Sequence, residues 1–481
     1  MDLDRRALLG GAMAAVVFGG RVGAAGTKEG SMEGSGKPAW PPAAGAIRTD
    51  EAARAAAAED FGHIVRRLPH GVVSPATDRG VAAALQGARA AGRKVAARGL
   101  GHSVFGRAQV DGGIVIDMRA LAAIHGIGAD RISVGAGATW REVLAATLPR
   151  GLAPPVLTDY LGLSIGGTLV VGGVGAASSR HGMQCDNVLD LDVVTGSGRV
   201  VTCSPQVEPD LFDAVRAGLG QVGIITRATL RLVPAPKAVR RCVLTYPDLG
   251  SMLADQRLLA AEGRFDEIKG VIAPGPAGWT FRIDAAAHLV GDRVPDDARL
   301  LAELFDDRCR AELSTLPYRD HLDRFGVLEQ HLRANGQWFH PHPWLTTFLG
   351  DSFVEPVVEA ELDRLDPWDL GPLGQILLSP IPRRPVRSPL LRVPTEDMVF
   401  AFNLIRIPDT AETGEAARLV AANRAAYERI RAAGGTLYPV SAFPMSTGDW
   451  RLHFGAAWTR LGDAKRRFDP DRALTPGYGV F

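Results

Sequence analysis

The chain has 481 residues, a formal net charge of +1, and 46% hydrophobic against 22% charged residues. That length exceeds one ordinary core and implies two domains, while the balanced charge, with no dense Lys/Arg block, argues against nucleic acid as the main partner. Four scattered cysteines (Cys185, Cys203, Cys242 and Cys309), without a CxxC pair or Cys/His ligand spacing, argue against a zinc site and a disulfide framework.

The N-terminus places Arg5 and Arg6 before a short apolar run, followed by the small residues "VGAAG". A basic start, a brief apolar stretch and a small-residue cleavage site describe a signal peptide over residues 1–26, and the paired arginines suggest the twin-arginine route. A periplasmic or secreted protein follows from that reading. The apolar run is broken by glycines and Arg21, so no stable membrane span is expected. Residues 27–47, rich in Gly, Pro, Ala and Ser, read as a linker.

Farther along, "RGVAAALQGARAAG" has helical spacing and "RKVAARG" reads as a strand entering a glycine loop. "GGIVIDM" is a β-branched strand. "ISVGAGATWREVLAATLPRG" reads as strand, turn and helix, with Thr139 at the helix N-cap. "VLDLDVVTGSGRVVT" predicts a hairpin around Gly-Ser-Gly. "PDLFDAVRAGLG" is a helix, "VGIITRATLRLVPAP" a strand, and Pro234 with Pro236 marks a boundary. Beyond it, strands such as "MVFAFNLIRI" mix with long helical patterns such as "GEAARLVAANRAAYERIRAAGG". The terminal "DPDRALTPGYGVF" reads as loop and turn.

Glycine is concentrated in "GLGHSVFG" and in "LSIGGTLVVGGVGAASSRHG". Such loops let backbone approach a ligand and turn N–H groups toward an anion, which suits a pyrophosphate. Neither loop is a P-loop, and neither has the strand–GxGxxG–helix context of a Rossmann unit. By spacing alone, tight turns without a ligand explain them equally well. His340 and His342 lack a nearby carboxylate set and are not read as metal ligands.

The segment "GHSVFGRAQVDGGIVIDMRAL" resembles the flavin-attachment segment of cytokinin dehydrogenases, within the FAD-linked oxidases of the vanillyl-alcohol oxidase type. The likeness continues through "LTDYLGLSIGGTLVVGGVG", "RHGMQCDNVLDLDVVTGSGRVVTCSP", "EPDLFDAVRAGLGQVGIITRA", "FHPHPWLTTF" and "FDPDRALTPGYGVF", covering most of the chain from Ser74 to Phe481. It implies an α+β chain with a two-domain, PCMH-type FAD-binding fold. Residues 48–236 plus 440–481 would hold FAD, and an α/β cap over 237–439 would bind substrate.

By that resemblance His102 is the histidine bonded covalently to the flavin, through its 8α-methyl. Ala97, Gly99, Leu100, Gly101 and Ser103 fall at flavin and pyrophosphate positions. Asp159, Ser164, Val170, Val174 and Ile225 follow, then Tyr438 (shifted by about one residue), Thr475 and Tyr478. Arg107 and Tyr478 replace glutamines of the family. Cys185 does not stand where doubly tethered relatives carry a second flavin link, so one covalent bond is expected.

Asp159 is the candidate general base, taking the N–H proton while hydride passes to flavin N5, and burial beside the flavin is expected to raise its pKa. On its own residues it also reads as an Asx turn or helix cap. Trp344 matches a tryptophan of the substrate pocket, although an ordinary core aromatic is the alternative. Lys269 stands where the family has a substrate-contacting glutamate. Lysine offers donors only, so the substrate is gripped differently, is a different molecule, or Lys269 points to solvent.

The implied activity is oxidation of the C–N bond of an N6-substituted adenine, with the imine hydrolysed to adenine and an aldehyde. Electrons would then pass to a quinone-like acceptor or oxygen. The alternatives are an FAD-linked oxidase of an alcohol, sugar or other amine, or a flavin-binding protein without catalysis.

Overall fold

The computed structural model describes residues 40–481 other than Ala277, Val290 and Asp292. The signal peptide expected over 1–26, with Arg5, Arg6 and Arg21, lies outside the described residues, as does most of the expected linker. Its last part is not a linker. Pro42–Ala44 forms a 3-10 turn, Ala44 is fully buried, and Arg48 bridges to Val72. The reason is close packing: Trp40 and Pro41 lie against Gly87 of the helix Asp78–Ala90, where a side chain would have no room.

Four sheets are present among the described residues. A parallel three-stranded sheet runs Gly71–Val73, Ile114–Asp117, Val95–Arg98. The helix Asp78–Ala90 covers it; Thr77 caps that helix by accepting from the Gly80 amide, and Val81, Ala84, Leu85 and Ala88 are buried. A five-stranded antiparallel sheet contains the expected hairpin, Val188–Thr195 with Val200–Cys203, beside Gly223–Arg231. Two short strands, Leu152–Ala153 and Val233–Pro234, pair separately.

The fourth sheet has eight antiparallel strands, all lying between Ala238 and Leu437, with Glu267–Gly275 beside Gln375–Pro382 near its centre. Antiparallel strands with one face on a core need that face apolar, and Ile268, Ile272, Ile283, Ile376, Leu378, Phe400 and Phe402 are buried accordingly. The helix Thr413–Ala432, twenty residues long, fills the expected helical pattern.

After this sheet the chain returns to the first. The Val95 amide donates to Ala473 O and the Thr475 amide to Val95 O, both at 2.8 Å. The terminal stretch is loop and turn as expected, with one 3-10 turn at Pro476–Tyr478. Two helices precede it, Thr447–Phe454 and Ala457–Phe468, which the sequence reading did not single out. No described helix is long and apolar enough to cross a membrane.

Candidate active site

Where the strand Val95–Arg98 ends, the chain turns through Gly99–Gly101 and places His102 at the wall of a cavity of about 310 Å³. Gly101 has φ +69, the left-handed region that favours glycine, and a side chain there would strike the Arg98 guanidinium. A segment from earlier in the chain fixes this turn. The Phe61 amide donates to Gly101 O at 2.8 Å, and the Gly62 amide to Ser103 O at 3.0 Å. Asp60 accepts from Ser103 Oγ at 2.7 Å and from the Gly106 amide at 2.6 Å.

Asp60 is 3% exposed, and burial raises its carboxyl to about 6 against the hydrogen bonds that favour the charged form. A raised carboxyl pKa stabilises the fold fully below the unfolded value near 3.8, and that contribution is lost as pH rises through 6. Asp60→Asn keeps an acceptor for both donors but cannot ionise. The stability of the wild-type chain relative to Asp60→Asn should therefore fall between pH 4.5 and pH 7, by about 2 kcal/mol. Thermal unfolding of both proteins at the two pH values checks this; a difference independent of pH would refute it.

His102 sits among rings. It stacks on Phe61 with centroids 4.0 Å apart and lies 4.9 Å from Tyr160, 5.8 Å from Trp338 and 6.1 Å from Trp344. Burial, helped by the neighbouring His342, lowers its pKa to about 3. The imidazole is therefore neutral at ordinary pH and keeps a nitrogen lone pair, which a nucleophilic or bond-forming role requires. On the other face of Phe61 stacks His342, whose Nδ1 bonds Phe61 O at 3.0 Å, while His340 Nδ1 bonds Pro408 O at 3.1 Å. Both histidines thus serve as structural partners.

The other cavity residues come from six separate stretches. Ala97, Gly99, Leu100, Gly101 and Ser103 arrive with His102. Ser164, Val170 and Val174 come from the glycine-rich second loop, and Ile225 from the strand Gly223–Arg231. Trp344, Tyr438, Thr475 and Tyr478 close the far side. Loop positions are held by backbone bonds: Ile165 and Gly166 amides donate to Ala138 O and Ala136 O at 2.8 Å, and the Gly173 amide donates to the Tyr438 hydroxyl at 3.0 Å. Thr475 Oγ1 donates to Gly220 O at 2.8 Å. Trp344 is half-buried with its indole N–H donated to Arg406 O at 2.9 Å, so its ring is fixed in orientation.

Asp159 and Lys269 do not line this cavity. They lie beside it, since Thr158 is one of its wall residues. Lys269 Nζ stands 3.3 Å from both Asp159 carboxylate oxygens. The Asp159 side chain is 41% exposed; it sits on an open turn and faces a cation. The Lys269 side chain is only 15% exposed, so it does not point into solvent.

The donor set suits a large anionic cofactor. Arg107 lines the cavity at 6% exposure, and among the described residues it forms no ion pair. Its Nη2 donates to Phe443 O at 3.1 Å, its guanidinium stands 5.0 Å from the Tyr478 ring centroid, and its Nε has no partner. Burial lowers it to about 10, still charged at neutral pH. A buried cation without a counter-charge is costly, and an anionic oxygen in the cavity would relieve it. Glycine backbone, an unpaired Arg107 and an apolar slot together fit FAD.

Sequence reasoning missed Asp60, Phe61, Tyr160 and Trp338. "EDFGHIV" carries no periodic signal. Its one cue is Gly62, where a side chain would fall 2.1 Å from Val104 O.

Residues 69–204 match the model for an FAD binding domain. Residues 299–481 match the model described as cytokinin dehydrogenase 1, FAD and cytokinin binding. An uncharacterised oxidoreductase of the fasciation locus in Rhodococcoides fascians is 42% identical, covering 90% of this chain and 98% of the relative. Cytokinin dehydrogenase 10 of rice (Oryza sativa subsp. japonica) is 37% identical over 90% of this chain and 88% of its own length. Rice cytokinin dehydrogenase 6 is 36% identical, with coverage of 90% and 91%.

Proposed function

This chain belongs to the cytokinin dehydrogenase family of FAD-dependent oxidoreductases, enzymes of CH–NH donors, and from that premise we propose that its substrate is an N6-substituted adenine of the cytokinin type. The observation that carries the reading is the placement of a carboxylate and a fixed aromatic plane beside one cofactor-sized cavity: Asp159 next to the wall residue Thr158, and Trp344 in the wall itself.

When bound, FAD supplies the acceptor for the substrate's hydride. The chain's own residues do the rest. Trp344 offers a flat apolar surface to a purine or an isoprenoid tail. Asp159 accepts the proton from the exocyclic N–H, leaving a C=N bond in the substrate that water hydrolyses to adenine and an aldehyde. Arg107 would hold anionic oxygen of the cofactor, and His102 would be its single point of covalent attachment; the neutral, ring-packed imidazole supports that role. The electrons would then go to a quinone-like acceptor or oxygen. The paired Arg5 and Arg6 support export of the folded, loaded protein to the periplasm or beyond.

A second reading, an FAD-linked oxidase of another amine, an alcohol or a sugar, is favoured by one feature, the cation at Lys269. The two readings separate in an anaerobic mixing experiment. Isopentenyladenine should bleach the flavin absorbance of the holoenzyme within one turnover and yield adenine with an unsaturated aldehyde. Persistent oxidised flavin that dithionite still reduces would overturn the cytokinin reading and leave the family assignment intact.

A further inference from the structure

Lys269 lies on the strand Glu267–Gly275, directly opposite Asp284 on the neighbouring strand. That carboxylate is already engaged: Arg241 holds it through two bonds of 2.8 and 2.9 Å, and Arg324 approaches to 3.7 Å. Two residues back on the same strand, Glu267 is taken by His321 at 2.9 Å and by His288 at 3.6 Å. The acids flanking Lys269 on its own sheet therefore have partners. Its half-buried stem carries the ammonium off the sheet to Asp159 instead.

The contact leaves both partners with unused capacity. An ammonium has three donors and a carboxylate about four lone-pair directions, and the two bonds between Lys269 and Asp159 leave one donor and about two lone-pair directions free. With Asp159 41% exposed, the pair presents an acceptor and a donor side by side on an accessible edge. Its complement is a ligand with a donor and an acceptor on neighbouring atoms. An N6-alkyl adenine has this edge: the remaining exocyclic N–H lies beside a ring nitrogen, N1 or N7 according to which way the alkyl group turns. Amide side chains read the N6 and N7 atoms of adenine by the same acceptor–donor logic. Saturated amines, alcohols and sugars lack a ring nitrogen at that place.

We propose that Lys269 is a specificity-determining residue that donates a hydrogen bond to the adenine ring nitrogen next to the N–H facing Asp159. The proposal rests on the cytokinin reading above and deepens it. It also assigns the lysine a task that a glutamate could not perform. Because Asp159 already accepts from the substrate, its neighbour is free to donate.

Ring-nitrogen deletion tests this. The holoenzyme is assayed with isopentenyladenine and with its 1-deaza and 7-deaza analogues, in which C–H replaces one ring nitrogen. Wild-type, Lys269→Met and Lys269→Arg proteins are compared at equal flavin content. One of the two analogues should lose about 10- to 100-fold in kcat/KM with the wild type, the range of a good base-reading contact. The same analogue should lose nothing further in Lys269→Met, since the partner is already gone, while Lys269→Arg keeps the discrimination. Equal penalties in wild type and Lys269→Met would overturn the inference. So would full wild-type activity on both analogues, a result needing no variant. If isopentenyladenine itself fails to reduce the flavin, the substrate reading fails first and this inference falls with it.

Discussion

Replacing His102 with alanine is expected to yield a folded, flavin-binding protein from which all of the flavin escapes on acid precipitation, leaving a colourless pellet. The wild-type pellet should stay yellow. The expectation separates the tether from the fold because the two depend on different atoms. The turn carrying His102 is pinned by Asp60, by the Gly101 and Ser103 carbonyls and by the Gly106 amide, none of which belongs to the imidazole. The ring contributes contacts to Phe61, Tyr160, Trp338 and Trp344, and losing them costs roughly 1–3 kcal/mol, which a domain of this size survives. What disappears is a neutral nitrogen lone pair at the cavity wall. Flavin retained covalently in the alanine variant would refute the tether.

Asp159→Asn should lower kcat by about 10²- to 10⁴-fold, the usual worth of a positioned general base, while changing KM far less. The structure favours a clean result. Asp159 is on an open turn, so the isosteric amide should shift the melting temperature little. The variant keeps a carbonyl acceptor for the substrate N–H but cannot take its proton. Anaerobic single-turnover reduction followed by flavin absorbance measures the relevant step directly. A rate within twofold of wild type would remove Asp159 from the chemistry.

Local signals in the chain were legible wherever structure is set by near neighbours. Thr139 and Glu142 form a reciprocal capping box at the helix Trp140–Thr147, as the Thr-Trp-Arg-Glu run suggests. The hairpin of Val188–Thr195 with Val200–Cys203 follows from alternating apolar residues around Gly-Ser-Gly. The glycine loops were visible as loops, but only the likeness to a family gave them a cofactor. Illegible features depend on distant pairing. Nothing near Glu267 announces that its strand will lie between Gly278–His288 and Gln375–Pro382, and nothing near Asp159 announces Lys269, 110 residues away. The ring cage failed for the same reason: Phe61, Tyr160 and Trp338 meet His102 from three separate stretches, each reading locally as ordinary apolar sequence.

The bond pair joining Val95 to Ala473 and Thr475 has a consequence for biosynthesis. The edge of the cavity that begins beside Ala97 is completed by residues made hundreds of codons later. While the chain is still emerging from the ribosome, the early glycine turn can form but has no opposite wall, so a nascent chain has nowhere to retain the cofactor. Loading should therefore wait until the chain has reached Thr475. Translation that stops anywhere short of Thr475 should yield an apoprotein, and a yellow colour in a crude preparation reports that synthesis ran past that point.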